Sequence, residues 1–260
     1  MSTPTRLLPL LFLVLTVSWM TPGKNNPAVY QLTVYQYRDS AQEKILDNYL
    51  SEALLPALHK LKFEKTGVFK ALANDTSLVK KIYVLIKGSS LDELAAISGK
   101  LNAVPGFKEK GAAYTDAVYT HPPYERMEVI YLKAFPLAPG LEIPSLKSPK
   151  NERVYELRSY ESGTEKIFRN KVHMFNEGGE IALFKRLNFN AIFYSEVIAG
   201  ARMPNLMYMT SFENMADRDA HWKSFSSDPE WKKLSALPEY QKNVSHIDIT
   251  FLRPAGYSDY

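Results

Sequence analysis

An internal repeat constrains this chain more than any other feature. Val29-Tyr30-Gln31-Leu32-Thr33-Val34-Tyr35 returns 125 positions later as Val154-Tyr155-Glu156-Leu157-Arg158-Ser159-Tyr160. The same offset sets Ile82-Tyr83-Val84 on Met207-Tyr208-Met209. A repeated unit of about 110 residues demands a fold in which two like halves stack or pair. Between the copies, Pro136, Pro139, Pro144 and Pro149 mark an extended connection. The expected division is residues 28–135 for the first repeat, 136–152 for the linker and 153–254 for the second repeat.

Each copy reads as strand, helix, strand, strand, helix, strand. Val154–Glu161 alternates and is rich in β-formers. Ser162-Gly163-Thr164-Glu165 resembles a capping box, as do Ser40-Ala41-Gln42-Glu43 and Ser90-Leu91-Asp92-Glu93. Beyond the Ser162 cap, Phe168, Val172, Phe175, Ala182 and Leu183 share a helical face. Asn190–Gly200 and Asn205–Phe212 follow as strands, then Asn214 caps a helix whose Met215, Trp222 and Phe225 face inward. Asp228-Pro229-Glu230-Trp231 opens another with Asp as cap and Pro in the first turn. Ser245–Leu252 closes the unit as an alternating strand.

This order predicts an α+β fold of two tandem ferredoxin-like βαββαβ repeats. Helices cover one face of such a sheet and leave the other bare. Two copies cover each other's bare faces, giving a pseudo-dimeric α/β barrel within one chain around a central cavity.

Before the repeat, Arg6 precedes an apolar run from Leu7 to Trp19. The run is shorter than the ~20 residues that cross a bilayer and matches a secretory signal peptide over residues 1–20. The expected location is periplasmic or extracellular, with an uncleaved membrane tether as the alternative. No later run is long enough to span a membrane. A net charge of +4 without a Lys/Arg cluster gives no reason to expect nucleic acid as a partner. With no cysteine in the chain, disulfides, thiolate metal sites and Cys nucleophiles are excluded.

The second copy also carries a family resemblance. The motifs Val154–Tyr160, Met174-Phe175-Asn176-Glu177-Gly178-Gly179-Glu180 and Pro204–Phe212 resemble the NIPSNAP family, as do Ala220-His221-Trp222-Lys223-Ser224-Phe225 and Asp228-Pro229-Glu230-Trp231. The first copy lacks the last two motifs. The resemblance implies a dimeric α/β-barrel fold, whose superfamily includes monooxygenases, haem enzymes and small-molecule binders. It implies no agreed reaction.

Strand alternation nominates the site. With Tyr155, Leu157, Ile247, Ile249 and Phe251 towards the helices, Glu156, Arg158, Tyr160, His246, Asp248 and Thr250 face the cavity, joined by Tyr194, Glu196 and Tyr208. Arg158 can clamp a carboxylate or phosphate, and His246 beside Asp248 can act as a base. The alternative is an internal ion-pair network that merely satisfies a polar barrel interior. The first-copy counterparts Gln31, Thr33 and Tyr35 carry less charge, so the site should lean to the second copy. A second cluster, His173, Glu177 and Glu180, falls on one helix side, and an imidazole with carboxylates suits a divalent cation, but Gly178-Gly179 breaks the helix and the spacing is no established metal motif, so a surface or interface cluster is expected and no metal is assigned. His221 enters as a haem ligand only by fold analogy. The leading expectation is a small-molecule binder without a cofactor. The alternatives are a cofactor-independent or haem-dependent oxygenase and a non-catalytic interaction module. A homodimer is compatible with each.

Overall fold

The structure is a computed structural model, described over residues 27–260. The signal-like stretch lies outside the described residues. Eight strands, β1 (Val29–Tyr37), β2 (Gly67–Ala71), β3 (Lys80–Gly88), β4 (Arg126–Ala134), β5 (Val154–Glu161), β6 (Asn190–Ala199), β7 (Asn205–Phe212) and β8 (His246–Pro254), close into an antiparallel barrel. Their order round the wall is β1-β3-β2-β8-β5-β7-β6-β4. Each half therefore supplies the run fourth, first, third, second strand, and the halves meet at two seams. One pairs Phe69–Ala71 with Leu252–Pro254, the other Tyr131–Ala134 with Ser195–Ala199. Closure removes every free edge among these strands.

Helices lie outside the barrel. In the first half these are α1 (Ser40–Asn48), a π-helical stretch (Tyr49–Leu54), α2 (Leu55–Lys60), α3 (Leu91–Ala95), α4 (Ile97–Leu101) and α5 (Phe107–Thr115). The second half has α6 (Glu165–Phe175), α7 (Glu180–Arg186), α8 (Met215–Ser227) and α9 (Pro229–Ser235). Pro56 contributes no backbone N–H, which accounts for the widened turn just before it. Ser90, Asn214 and Asp228 cap as the sequence suggests. The other two caps sit elsewhere. Asp39 rather than Ser40 accepts from Gln42, and Thr164 rather than Ser162 accepts from Ile167. Ser162 Oγ instead donates to the Asn243 carbonyl. Met215 and Ala182 are exposed rather than inward-facing.

Three apolar clusters follow from this layering. Leu46, Leu50, Leu58, Val84 and Ile86 fill the space between helices and sheet in the first half. Phe175, Phe184, Phe189, Tyr208 and Phe225 fill it in the second. The third, with Tyr30, Leu32, Phe69, Tyr155, Leu157, Met209 and Leu252, draws on both halves and occupies the barrel itself. The central space is thus mostly packed core, not a through-going hollow.

Register refines the repeat. Thr33 pairs with Val84, and its counterpart Arg158 pairs with Tyr208. Val84, not Tyr83, is therefore the structural equivalent of Tyr208. The two halves drift by one residue between their first and third strands, and Tyr83 points into the barrel while Tyr208 points out.

Candidate functional site

At one end the barrel is plugged. Phe69 packs on Tyr155 and Tyr260 at ring separations of 4.9 and 5.5 Å, and Tyr30 packs on Phe193 at 5.5 Å. At the other end a mouth of about 180 Å³ opens between β1, β3, β4, β5, β7 and β8. Its floor is apolar (Leu32, Val34, Leu157, Met207) and its rim polar (Lys81, Glu128, Arg202, Asn205, Asp248, Thr250). The rim is internally braced. Gln36 donates to Glu128 at 3.0 Å, Ser159 and Asn205 exchange hydrogen bonds at 2.8–3.1 Å, and Arg202 pairs with Asp248. Burial pushes the Tyr83 hydroxyl upward, partly offset by its hydrogen bond with Thr250.

The expected site residues divide. Asp248 and Thr250 do line the mouth, and His246 lies on the same face of β8 but exposed, outside that lining. Arg158, Tyr160, Tyr194, Glu196 and Tyr208 do not. Register pairs Tyr155 with Leu252 and Leu157 with Thr250, so β5 presents Tyr155 and Leu157 inward and turns Glu156, Arg158 and Tyr160 towards the helices. The phase of β5 is thus the reverse of the one expected from alternation, which separates the two faces of a strand without saying which is inside. The charges are instead neutralised by helix α8. Glu156, fully buried, accepts from Arg158 Nε at 2.6 Å, Arg218 Nε at 2.8 Å, Arg218 Nη2 at 3.0 Å and Trp222 Nε1 at 2.7 Å. Burial alone raises its carboxyl pKa, but Arg218 and Arg158 outweigh it and hold the group below the usual carboxylate value. Arg158 also lies 3.7 Å over the Trp222 ring and donates to Tyr160, which shares a 2.8 Å hydrogen bond with Tyr208. Tyr194 stacks on Tyr208 in the same layer. Glu196 pairs with Arg169 of α6, again outside the barrel. The charges do form an ion-pair network, as the alternative expected, but it lies between sheet and helices and not in the barrel interior, which is apolar. Arg218, which completes it, has no sequence motif and was missed.

The second cluster is dispersed. Helix α6 ends at Phe175 and α7 begins at Glu180, so the three residues do not share one helix. A Cβ on Gly178 would lie 2.6 Å from the Met174 carbonyl oxygen, so only glycine fits this turn. His173 bonds Tyr240, Glu177 is exposed, and buried Glu180 pairs with Lys171 at 2.8 Å. His221 is engaged by Asp217 and flanked by Phe189 and Phe212.

A second space lies in the first half, between its sheet and helices. It measures about 260 Å³ and is lined by Gln31, Thr33, Tyr35, Tyr49, Ile97 and Val129 among others. Gln31, Thr33 and Tyr35 are the counterparts of Glu156, Arg158 and Tyr160. Where the second half fills this layer with an ionic network and Trp222, the first half leaves room.

Fold and layering together define a mixed α/β protein built on a closed eight-stranded antiparallel barrel. The NIPSNAP family model matches residues 155–259, in the second half of the chain. A candidate monooxygenase from Lactobacillus acidophilus is similar in structure, with a TM-score of 0.55 at 10% identity over 88% of this chain and 94% of that one. An anthrone oxidase-like protein reaches a TM-score of 0.50 at 8% identity over 89% and 93%. A NIPSNAP-like domain protein from Burkholderia xenovorans aligns with 42% of this chain and 91% of its own at 19% identity, with a TM-score of 0.39. Comparison with curated proteins finds no match. No helix among the described residues is long and apolar enough to cross a membrane.

Proposed function

We propose that the protein binds a small molecule at the open mouth of its barrel, a ligand with a hydrogen-bonding head and a short apolar body. One observation carries this reading: the barrel is plugged by aromatic rings at one end and left open over an apolar floor with a polar rim at the other. Such a combination is the usual chemistry of a ligand pocket. A thermal-shift screen of small carboxylates, phenols and amides tests it, with Thr250→Phe as a variant that fills the mouth. A ligand present at 100 times its Kd adds about 2.7 kcal/mol, or roughly 5–10 °C in a domain of this size. Binders should shift the wild type and not the variant. A screen in which nothing stabilises the wild type overturns the reading.

The first-half space favours a second reading, an oxygenase for a flat apolar compound that uses no metal or haem. Oxygen consumption with aromatic substrates, lost on Ile97→Trp, would support it. A Soret band on haem titration would move the reading to a haem enzyme. Ile247 and Ile249, nearly half exposed on the outer face of β8, are the surface an interaction module or a homodimer would use.

The strand order in each half and the paired positions on β1 and β5 support an origin in duplicated ferredoxin-like units. The Arg6-to-Trp19 stretch supports export. Fractionation of the full chain, with N-terminal sequencing of the product, tests that second proposal.

A further inference from the structure

We propose that Glu161, His246 and Asp248 form a site for one divalent transition-metal ion on the rim of the barrel. The placement is a consequence of register. Glu161 and His246 are directly opposed across β5 and β8, and Asp248, two residues along β8, projects to the same side. A backbone bond from Ser245 to the Glu161 carbonyl locks the strand ends together at this point. One donor atom from each residue lies within 4.8 Å of the other two. His246 Nε2 and Asp248 Oδ1 are 3.2 Å apart. Two donors on one ion with bonds of ~2.0–2.1 Å in tetrahedral geometry sit about 3.3 Å from each other, so this pair already has ligand spacing. Only the Glu161 carboxylate must draw closer. It has no hydrogen-bond or ion-pair partner of its own among the described residues.

The surroundings suit an ion. Asp248 uses its other oxygen to hold Arg202, which fixes the carboxylate plane and turns Oδ1 towards His246 Nε2; a bound ion would displace the proton shared by these two atoms. Outer partners of this kind orient metal ligands. An imidazole with two carboxylates selects zinc, manganese, iron or nickel rather than calcium or a thiolate-seeking ion. Three protein donors leave at least one coordination position for water or an incoming group. Because Asp248 also lines the barrel mouth, that group can come from a molecule seated there. The ion site does not depend on such a molecule.

The test is a calorimetric titration of zinc chloride into the chelator-stripped full chain at pH 7, without organic ligand. The expected result is one equivalent bound, weakened at least tenfold by His246→Ala and by Glu161→Gln. His59→Ala, which removes the imidazole paired with Asp259 on another face, should leave it unchanged. The near-isosteric Glu161→Gln guards against misfolding, checked by thermal melts of all variants. No binding by the wild type, or equal binding by His246→Ala and Glu161→Gln, overturns the site. An ordinary His–Asp surface pair gives that outcome. Ligand screening in the presence of chelator reads the barrel mouth separately, so either proposal can fail alone.

Discussion

Replacing Glu156 with alanine tests the inverted strand phase directly. The carboxylate is fully buried and accepts the four hydrogen bonds from Arg158, Arg218 and Trp222. Removing it strands two guanidinium groups side by side. Arg218 can swing outward, since it already touches exposed Asp219. Arg158 cannot, because it is held over Trp222 and against Tyr160. Stranding one partner of a buried pair costs about 3–5 kcal/mol, and with Arg218 relieved the lower end, ~3 kcal/mol, applies. That corresponds to a fall of roughly 6–12 °C in Tm. Glu156→Gln keeps the shape but loses charge, and should cost about 1–2 kcal/mol. Pairing Glu156→Met with Arg158→Leu should recover most of the loss, since apolar replacement of a whole buried pair is often neutral. Urea unfolding followed by far-UV circular dichroism, with the denaturant slope held constant, measures each. Were Glu156→Ala to cost less than ~1 kcal/mol, the carboxylate would not be buried in an ion pair beneath α8 and the outward assignment would be wrong.

Glu180→Ala should cost about 3–5 kcal/mol by leaving the Lys171 ammonium buried alone, and a double-mutant cycle with Lys171→Met should show strong coupling. Gly178→Ala should destabilise by ~1–3 kcal/mol, because the added carbon meets backbone rather than a yielding side chain. Thermal melts settle it, an unchanged Tm counting against the turn described. Glu213 binds the backbone amides of Lys147 and Ser148 in the linker. Hydrogen bonds with Ser148 and Lys147 pull its carboxyl from the usual carboxylate range down to about 2. A depressed carboxyl stabilises above its unfolded value and releases as the pH falls, so protection of those two amides should fade between pH 4.5 and about 2. Glu213→Gln should abolish that dependence in hydrogen-exchange measurements.

Much of the architecture is legible in local pattern. The repeat, the Pro-rich connection, the strand spans and three of the five suggested caps depend on neighbouring residues, and the strand β5 appears where Val154–Glu161 alternates. Which way that strand faces is another matter. Both its faces are buried, one in the barrel and one under helices, so alternation reveals two sets of residues without saying which set is inside. Charge misleads at that point, because the partner that makes Glu156 and Arg158 tolerable outside the barrel, Arg218 with Trp222, sits some sixty residues downstream on α8.

The chain's own order of residues thus determined the strands and helices one by one, since periodicity and caps act over a few positions. Only tertiary structure decided that the barrel is filled except at its mouth and that the β5 charges lie beneath α8. The same holds for Glu161, which meets His246 and Asp248 at the rim. Those outcomes depend on register across β5 and β8 and on which helix covers which face. Such pairings are long-range, and the hydrophobic and ionic partners that fix them are scattered along the chain.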